Sequence, residues 1–148
     1  MMISHDWLYL GEKIIMEKIL IFLLFYFLII FSIIGYGNLF SLIFKRTYNI
    51  GEKGLNGILF LIIISYITNF FSPHSLMHNS IVIIFGLFTF VILLIKNFKD
   101  NIKELIATLV VFSILFIGLL MYKNHDDFSY YHFSYTLTLI EYKKILGL

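Results

Sequence analysis

The chain of 148 residues contains no cysteine, a single proline and few charged residues for its length. Without cysteine, thiol catalysis, disulfide bonds and cysteine-ligated zinc are excluded. Charged residues make up 14% of the chain and hydrophobic residues 60%, a balance typical of integral membrane proteins rather than soluble domains. The net charge of +2 is spread over several short segments and forms no patch suited to nucleic acid. We therefore expect the lipid bilayer, and no nucleic acid, as a partner.

Long apolar runs indicate four membrane-spanning helices. A bilayer core takes about 20 helical residues, so the charge-free stretch between Lys53 and Lys96 is too long for one span. Pro73 divides it, and we expect Ser72 to cap the third span with Pro73 in its first turn. The motif GYG in the first span is expected to allow close packing, with a local kink as the alternative. The predicted spans cover about residues 19–44, 55–71, 73–95 and 105–122.

Basic residues in the connections predict the orientation of these spans. Six of them follow the first and third spans, whereas the connection at Pro73 carries no charged residue. This distribution places both basic connections in the cytoplasm and the two chain ends outside. The six residues are Lys45, Arg46, Lys53, Lys96, Lys99 and Lys103.

A polar cluster follows the fourth span in the stretch HDDFSYYH and falls on the predicted outer side. Asp126 and Asp127 are adjacent, and such carboxylates repel each other in a partly desolvated site, which raises the pKa of one of them. One aspartate could then act as a general base or a metal ligand. The alternative is that the pair only caps a helix, because helix N-termini favour negative charge.

Histidines of the predicted outer side suggest a possible metal site. His74 and His78 are four residues apart, a spacing that puts both on one helix face, and carboxylates are expected nearby. Ordinary interfacial histidines in polar loops are the alternative, because spacing alone does not make side chains converge.

An amphipathic surface helix is predicted within residues 123–148. Phe133, Leu137 and Ile140 recur at helical spacing and form an apolar stripe, which Lys144 interrupts. The predicted fold class is therefore an all-α integral membrane protein, with four transmembrane helices followed by this surface helix in a single membrane domain.

Three features follow one another along the chain: a span directed outward, the acidic pair with its following aromatics in DDFSYY, and a surface helix. In this order they resemble the first catalytic outer loop of the GT-C superfamily. Members of that superfamily are polytopic glycosyltransferases that use lipid-phosphate-linked sugars. The resemblance covers residues 122–148 and implies a multi-pass protein of the bacterial cytoplasmic membrane. Many members carry the acidic loop after their first span and are much longer. The resemblance therefore implies that this chain is an N-terminal portion, inactive on its own.

By residue, the resemblance implies that Asp126 or Asp127 activates the acceptor while the other helps to hold a divalent cation, Mg²⁺ or Mn²⁺. It also implies that four neighbours of the pair bind substrate, namely His125, Tyr130, Tyr131 and His132. A lipid-linked sugar donor would be the partner. A non-catalytic four-span protein, acting as a subunit or assembly partner of a larger complex, is the competing hypothesis. A transporter is disfavoured because the spans hold no ionisable groups except histidines near the outer surface.

Overall fold

The computed structural model describes residues 4–96, 98–121 and 132–143, and side chains within residues 15–96, 98, 102–121 and 132–143. These residues form five helices, and four contain segments long and apolar enough to cross a membrane. This confirms the all-helical class and the four candidate spans. The helices are α1 (Ser4–Phe44), α2 (Ile50–Asn69), α3 (Leu76–Lys96), α4 (Phe98–Met121) and α5 (Phe133–Glu141).

Helix α1 is much longer than a bilayer requires. Its 41 residues extend over about 60 Å at 1.5 Å per residue. Among the residues whose side chains are described, the candidate span covers Ile15–Phe44, and the helix continues toward the N-terminus as far as Ser4. The helix is continuous through Gly35 and Gly37, and a local kink at this motif stays a prediction.

Helix α2 begins at Ile50, five residues earlier than the start predicted for the second span. The Asn49 side chain accepts a hydrogen bond from the backbone N–H of Glu52 at 2.8 Å. In return, the Glu52 carboxylate accepts one from the backbone N–H of Asn49 at 3.0 Å. This reciprocal capping box satisfies two N–H groups that would otherwise lack partners. Glu104 of α4 accepts from the N–H of Ile50 at 2.9 Å, so a second helix fixes the same terminus.

The connection between α2 and α3 lies around Pro73, as predicted, but its cap differs from the prediction. Helix α3 begins at Leu76, and the Ser75 hydroxyl accepts from the backbone N–H of His78 at 3.4 Å. Ser72 instead donates its own N–H to the Thr68 carbonyl, which closes the end of α2. The prediction that Ser72 caps the third span, with Pro73 in its first turn, is therefore wrong.

Glycine positions show that α1 packs closely between α2 and α3. A Cβ atom added at Gly35 would collide with the backbone of Gly86 in α3, and one added at Gly37 with the backbone of Lys53 in α2. A Cβ at Gly57 of α2 would likewise collide with the carbonyl of Ile33. Close backbone approach through small residues is how helices associate in membranes, where lipid removes the hydrophobic driving force. The predicted packing role of the GYG motif is confirmed.

Aromatic residues reinforce the packing of α1 on α3. Phe31 and Phe90 stack with ring centroids 4.8 Å apart, and the buried Tyr36 hydroxyl donates to the Val82 carbonyl at 2.9 Å. A hydroxyl inside a bilayer needs such a partner because no water competes for it.

Helix α4 joins the bundle less extensively than the other spans. Tyr26 of α1 donates its hydroxyl to the Phe112 carbonyl at 3.0 Å, and its ring also contacts Phe116. The span within α4 is the least buried of the four, so one side of it faces the surroundings of the bundle.

Replacing Gly57 with alanine is expected to lower stability by about 1–3 kcal/mol, the usual range for overpacking a close contact. The matched control is Gly54→Ala on the same helix, where an added Cβ meets nothing within 4 Å. Thermal unfolding of both variants in detergent, followed by circular dichroism, would measure the difference. Equal midpoints would contradict the close α1–α2 contact.

Candidate functional site

The end of the bundle that the charge distribution assigns to the outside is formed by the α2–α3 connection and α5. The backbone N–H of His74 donates to the Leu139 carbonyl of α5 at 2.8 Å. This bond attaches the last helix to the connection between the second and third spans. Two segments that were predicted separately to lie outside therefore meet at one end of the bundle.

A cavity of about 400 Å³ lies beneath this contact. It follows α2 from Ile58 to Asn69, a distance of about 16 Å along the helix axis. Its lining changes character along that length. The deeper part is apolar, whereas the part near α5 is polar. The apolar lining includes Ile33, Ile58, Leu61 and Ile62, and the polar lining includes Ser65, Asn69, His74 and Tyr135.

Asn69 stands out at the polar end of this cavity. Its side chain is buried with only 3% exposed, and its Nδ2 has no hydrogen-bond partner among the described residues. A buried donor without a partner is costly in a protein interior and more so in a bilayer. Asn69 lines the cavity, but its Nδ2 is itself enclosed by the protein. A ligand acceptor could satisfy this unused donor only after the side-chain amide turned toward the cavity.

His74 and His78 come together, although not through the predicted helical face. His74 precedes α3, yet the two rings stack with centroids 4.9 Å apart and an interplanar angle of 7°. His74 Nε2 lies 3.0 Å from the Ser65 carbonyl and His78 Nδ1 lies 3.4 Å from Asn79 Oδ1. In the described part of the chain, no group of three or more potential ligands gathers around a common point. The metal site remains a prediction that depends on the acidic pair.

The predicted site residues at 125–131 lie outside the described residues. They are His125, Asp126, Asp127, Tyr130 and Tyr131, and their catalytic, substrate-binding and metal-binding roles stay predictions. His132, just before α5, is described: it is exposed, and its carbonyl accepts from the Thr136 hydroxyl at 2.7 Å.

The face of α5 that lines the cavity is not the stripe expected from the sequence. Tyr135 and Leu139 line it, and Leu139 is the less exposed of the two. Phe133, Leu137 and Ile140 are 51%, 41% and 40% exposed. The amphipathic surface role of this helix therefore stays a prediction.

Four residues that line the cavity were not predicted from the sequence, namely Ser65, Asn69, Tyr135 and Leu139. A signal for the first two was present, because polar residues recur four positions apart near the end of an otherwise apolar span. That spacing places them on one helix face. Nothing local indicates that α5 covers this face, because the contact joins residues about 65 positions apart along the chain.

In comparisons with known proteins, no family model, no curated protein and no solved structure matches this chain. Functional inference therefore comes from its own residues and their geometry.

Asn69→Leu is expected to stabilise the protein by about 1–3 kcal/mol, because it replaces an unpaired buried donor with an apolar side chain of similar size. The thermal midpoint in detergent, without added lipid, would measure the gain. A lower midpoint than wild type would show that the Asn69 amide has a stabilising partner and would contradict the assignment of an unused donor.

Proposed function

We propose that this chain is the N-terminal part of a multi-spanning membrane glycosyltransferase. The enzyme would transfer a sugar from a lipid-phosphate-linked donor on the outer side of the bacterial cytoplasmic membrane. The observation that supports the proposal is the cavity along α2, which is apolar toward the membrane centre and polar at the end where α5 docks. A lipid-linked sugar has the same polarity along its length.

The cavity lining suits each part of such a donor. Isoleucine and leucine side chains between Ile58 and Ile62 would contact the hydrocarbon chain and remove it from polar surroundings. At the other end, the Asn69 amide would turn its enclosed Nδ2 toward the cavity and donate to a phosphate oxygen, and the Tyr135 hydroxyl would donate to the same group. Ligand binding would thereby satisfy the donor that the protein itself leaves without a partner.

The acidic pair would perform the chemistry in this proposal. Asp126 takes the proton from the acceptor hydroxyl, whose oxygen forms a bond to the anomeric carbon as the bond to the lipid phosphate breaks. Asp127 helps to hold the site. His125 and His132 position phosphate or acceptor hydroxyls, and the two tyrosines between them contact the sugar.

A divalent cation, Mg²⁺ or Mn²⁺, would require the carboxylates of this pair. Within the described residues no group of three or more potential ligands gathers, and the stacked His74 and His78 offer nitrogen atoms, whereas these hard cations prefer oxygen ligands. Those two histidines alone do not fit such an ion. The cation, when bound, would neutralise charge on the leaving phosphate.

The second candidate is a non-catalytic subunit or assembly partner of a larger membrane complex. The exposure of α4 favours it, because a span that buries little of its surface has a side free for another helix. Ile114 and Ile117, for example, are 64% and 59% exposed. In that case the aspartates would only cap a helix.

Donor binding and chemistry can be tested separately in the full reading frame of the gene. Asn69→Leu is expected to reduce photo-crosslinking to a polyprenyl-phosphate probe by at least ~10-fold, about the lower value of one lost hydrogen bond to a charged group. The matched control is Asn56→Leu, the same change on the same helix but away from the lining of the cavity. Equal crosslinking of the two variants would contradict donor binding in the cavity.

Asp126→Asn and Asp127→Asn address the chemistry. Asparagine can still cap a helix, so folding should stay within about 1 kcal/mol of wild type. Probe crosslinking should also persist in both variants. Transfer of sugar from a lipid-linked donor should fall at least ~100-fold at the residue that acts as base. Full transfer by both variants would refute the catalytic role of the pair and leave the non-catalytic subunit as the better account.

A further inference from the structure

A second cavity, of about 480 Å³, lies at the opposite end of the bundle, where α1 ends and α2 begins. Three cationic residues line it, namely Lys45, Arg46 and Lys53. Asn38 and Ser41 of α1 add polar lining. The charge distribution of the chain assigns this end to the cytoplasm.

The chain folds back over this cavity at the end of α1. Lys45 adopts a left-handed backbone conformation, with φ of 51°, which is uncommon for a residue other than glycine. The N–H of Arg46 then donates to the Ser41 carbonyl at 3.1 Å, as expected for a helix terminus of this kind. The turn brings the two basic residues that follow α1 to the same cavity as Lys53.

Lys53 distinguishes this cavity from an ordinary basic loop. Its side chain is only 8% exposed, although lysine is almost never buried without a counter-charge. The Glu104 carboxylate attracts the Lys53 ammonium group electrostatically. The same carboxylate accepts a hydrogen bond from the backbone N–H of Ile50. Glu52 likewise already accepts from the N–H of Asn49. The three cations that line the cavity outnumber these two carboxylates, which keep their charge when they accept hydrogen bonds.

We propose that this cavity binds the phosphate of an anionic phospholipid headgroup from the cytoplasmic leaflet. Three cations and nearby polar groups form a phosphate site, and a basic pocket between spans at the cytoplasmic surface is where anionic headgroups bind. Leu42 and Leu93 complete the lining with apolar surface that the glycerol region of a lipid can contact. Soluble phosphate has no part that needs such a wall. This site is independent of the function proposed for the outer end.

Native mass spectrometry of the full protein in detergent, titrated with phosphatidylglycerol or with phosphatidylcholine, would test the proposal. Wild type should bind phosphatidylglycerol more tightly. Lys53→Gln should weaken that binding at least ~5-fold, about what one cation near a membrane surface contributes. The matched control is Lys96→Gln at the exposed end of α3, which removes the same charge outside the lining of the cavity and should change binding less than ~2-fold.

Three further measurements keep the test decisive. Arg46→Gln, in the connection after α1, should weaken binding like Lys53→Gln, which guards against a folding defect at the buried position. Lys53→Arg, which keeps the charge, should retain most of the binding. Inorganic phosphate in phosphatidylcholine nanodiscs should bind weakly. Equal affinity for both lipids, equal losses in Lys53→Gln and Lys96→Gln, or tight binding of inorganic phosphate alone would each overturn the proposal.

Discussion

The close backbone approach of α1 to α2 and α3 is the constraint on which the rest of the structure depends. Gly35 and Gly57 lie where any side chain would overlap the neighbouring helix, so α1 can occupy the middle of the bundle. Its central position brings Tyr36 and Phe31 against α3 and leaves α4 at the side, with most of its surface exposed. In a bilayer, where apolar surface alone drives little helix association, this contact sets the arrangement of the spans. Both cavities lie along α2 and its connections, and their walls depend on that arrangement.

The two ends of the bundle are built by different chemistry. At the end with the basic residues, carboxylates satisfy helix N–H groups, as Glu104 does for Ile50, and a buried lysine lines a charged cavity. At the other end the connection carries no charged residue, and a backbone bond from His74 to Leu139 holds α5 in place. A cavity that is apolar at depth and polar at its mouth suits an amphiphile. A cavity lined by three cations suits a phosphate. Under the two proposals, each end would hold a lipid-derived ligand by different groups.

Sequence reasoning predicted the features that depend on local composition and spacing. Long charge-free runs predicted four spans, Pro73 predicted the break between two of them, and the GYG motif predicted close packing. The start of α2 was missed because the capping box at Asn49 was overlooked in favour of the apolar run that follows. The cap of α3 was misassigned because Ser72 and Ser75 are equally good candidates until the path of the chain is known. The cavity along α2 beneath the contact with α5 was not predicted, since residues of α1, α2 and α5 must converge to form it. The catalytic roles of the acidic pair still depend on the resemblance alone.

The side of the membrane that each end occupies decides what both cavities can bind, so its measurement tests the account most directly. The chain has no cysteine, and single cysteines can replace Phe71, which is 81% exposed near the end of α2, and Lys99 at the start of α4. Intact cells would be treated with a membrane-impermeant maleimide, before and after permeabilisation. The account predicts that position 71 reacts in intact cells and that position 99 reacts only after permeabilisation. Reaction at position 99 in intact cells, with position 71 protected, would contradict it.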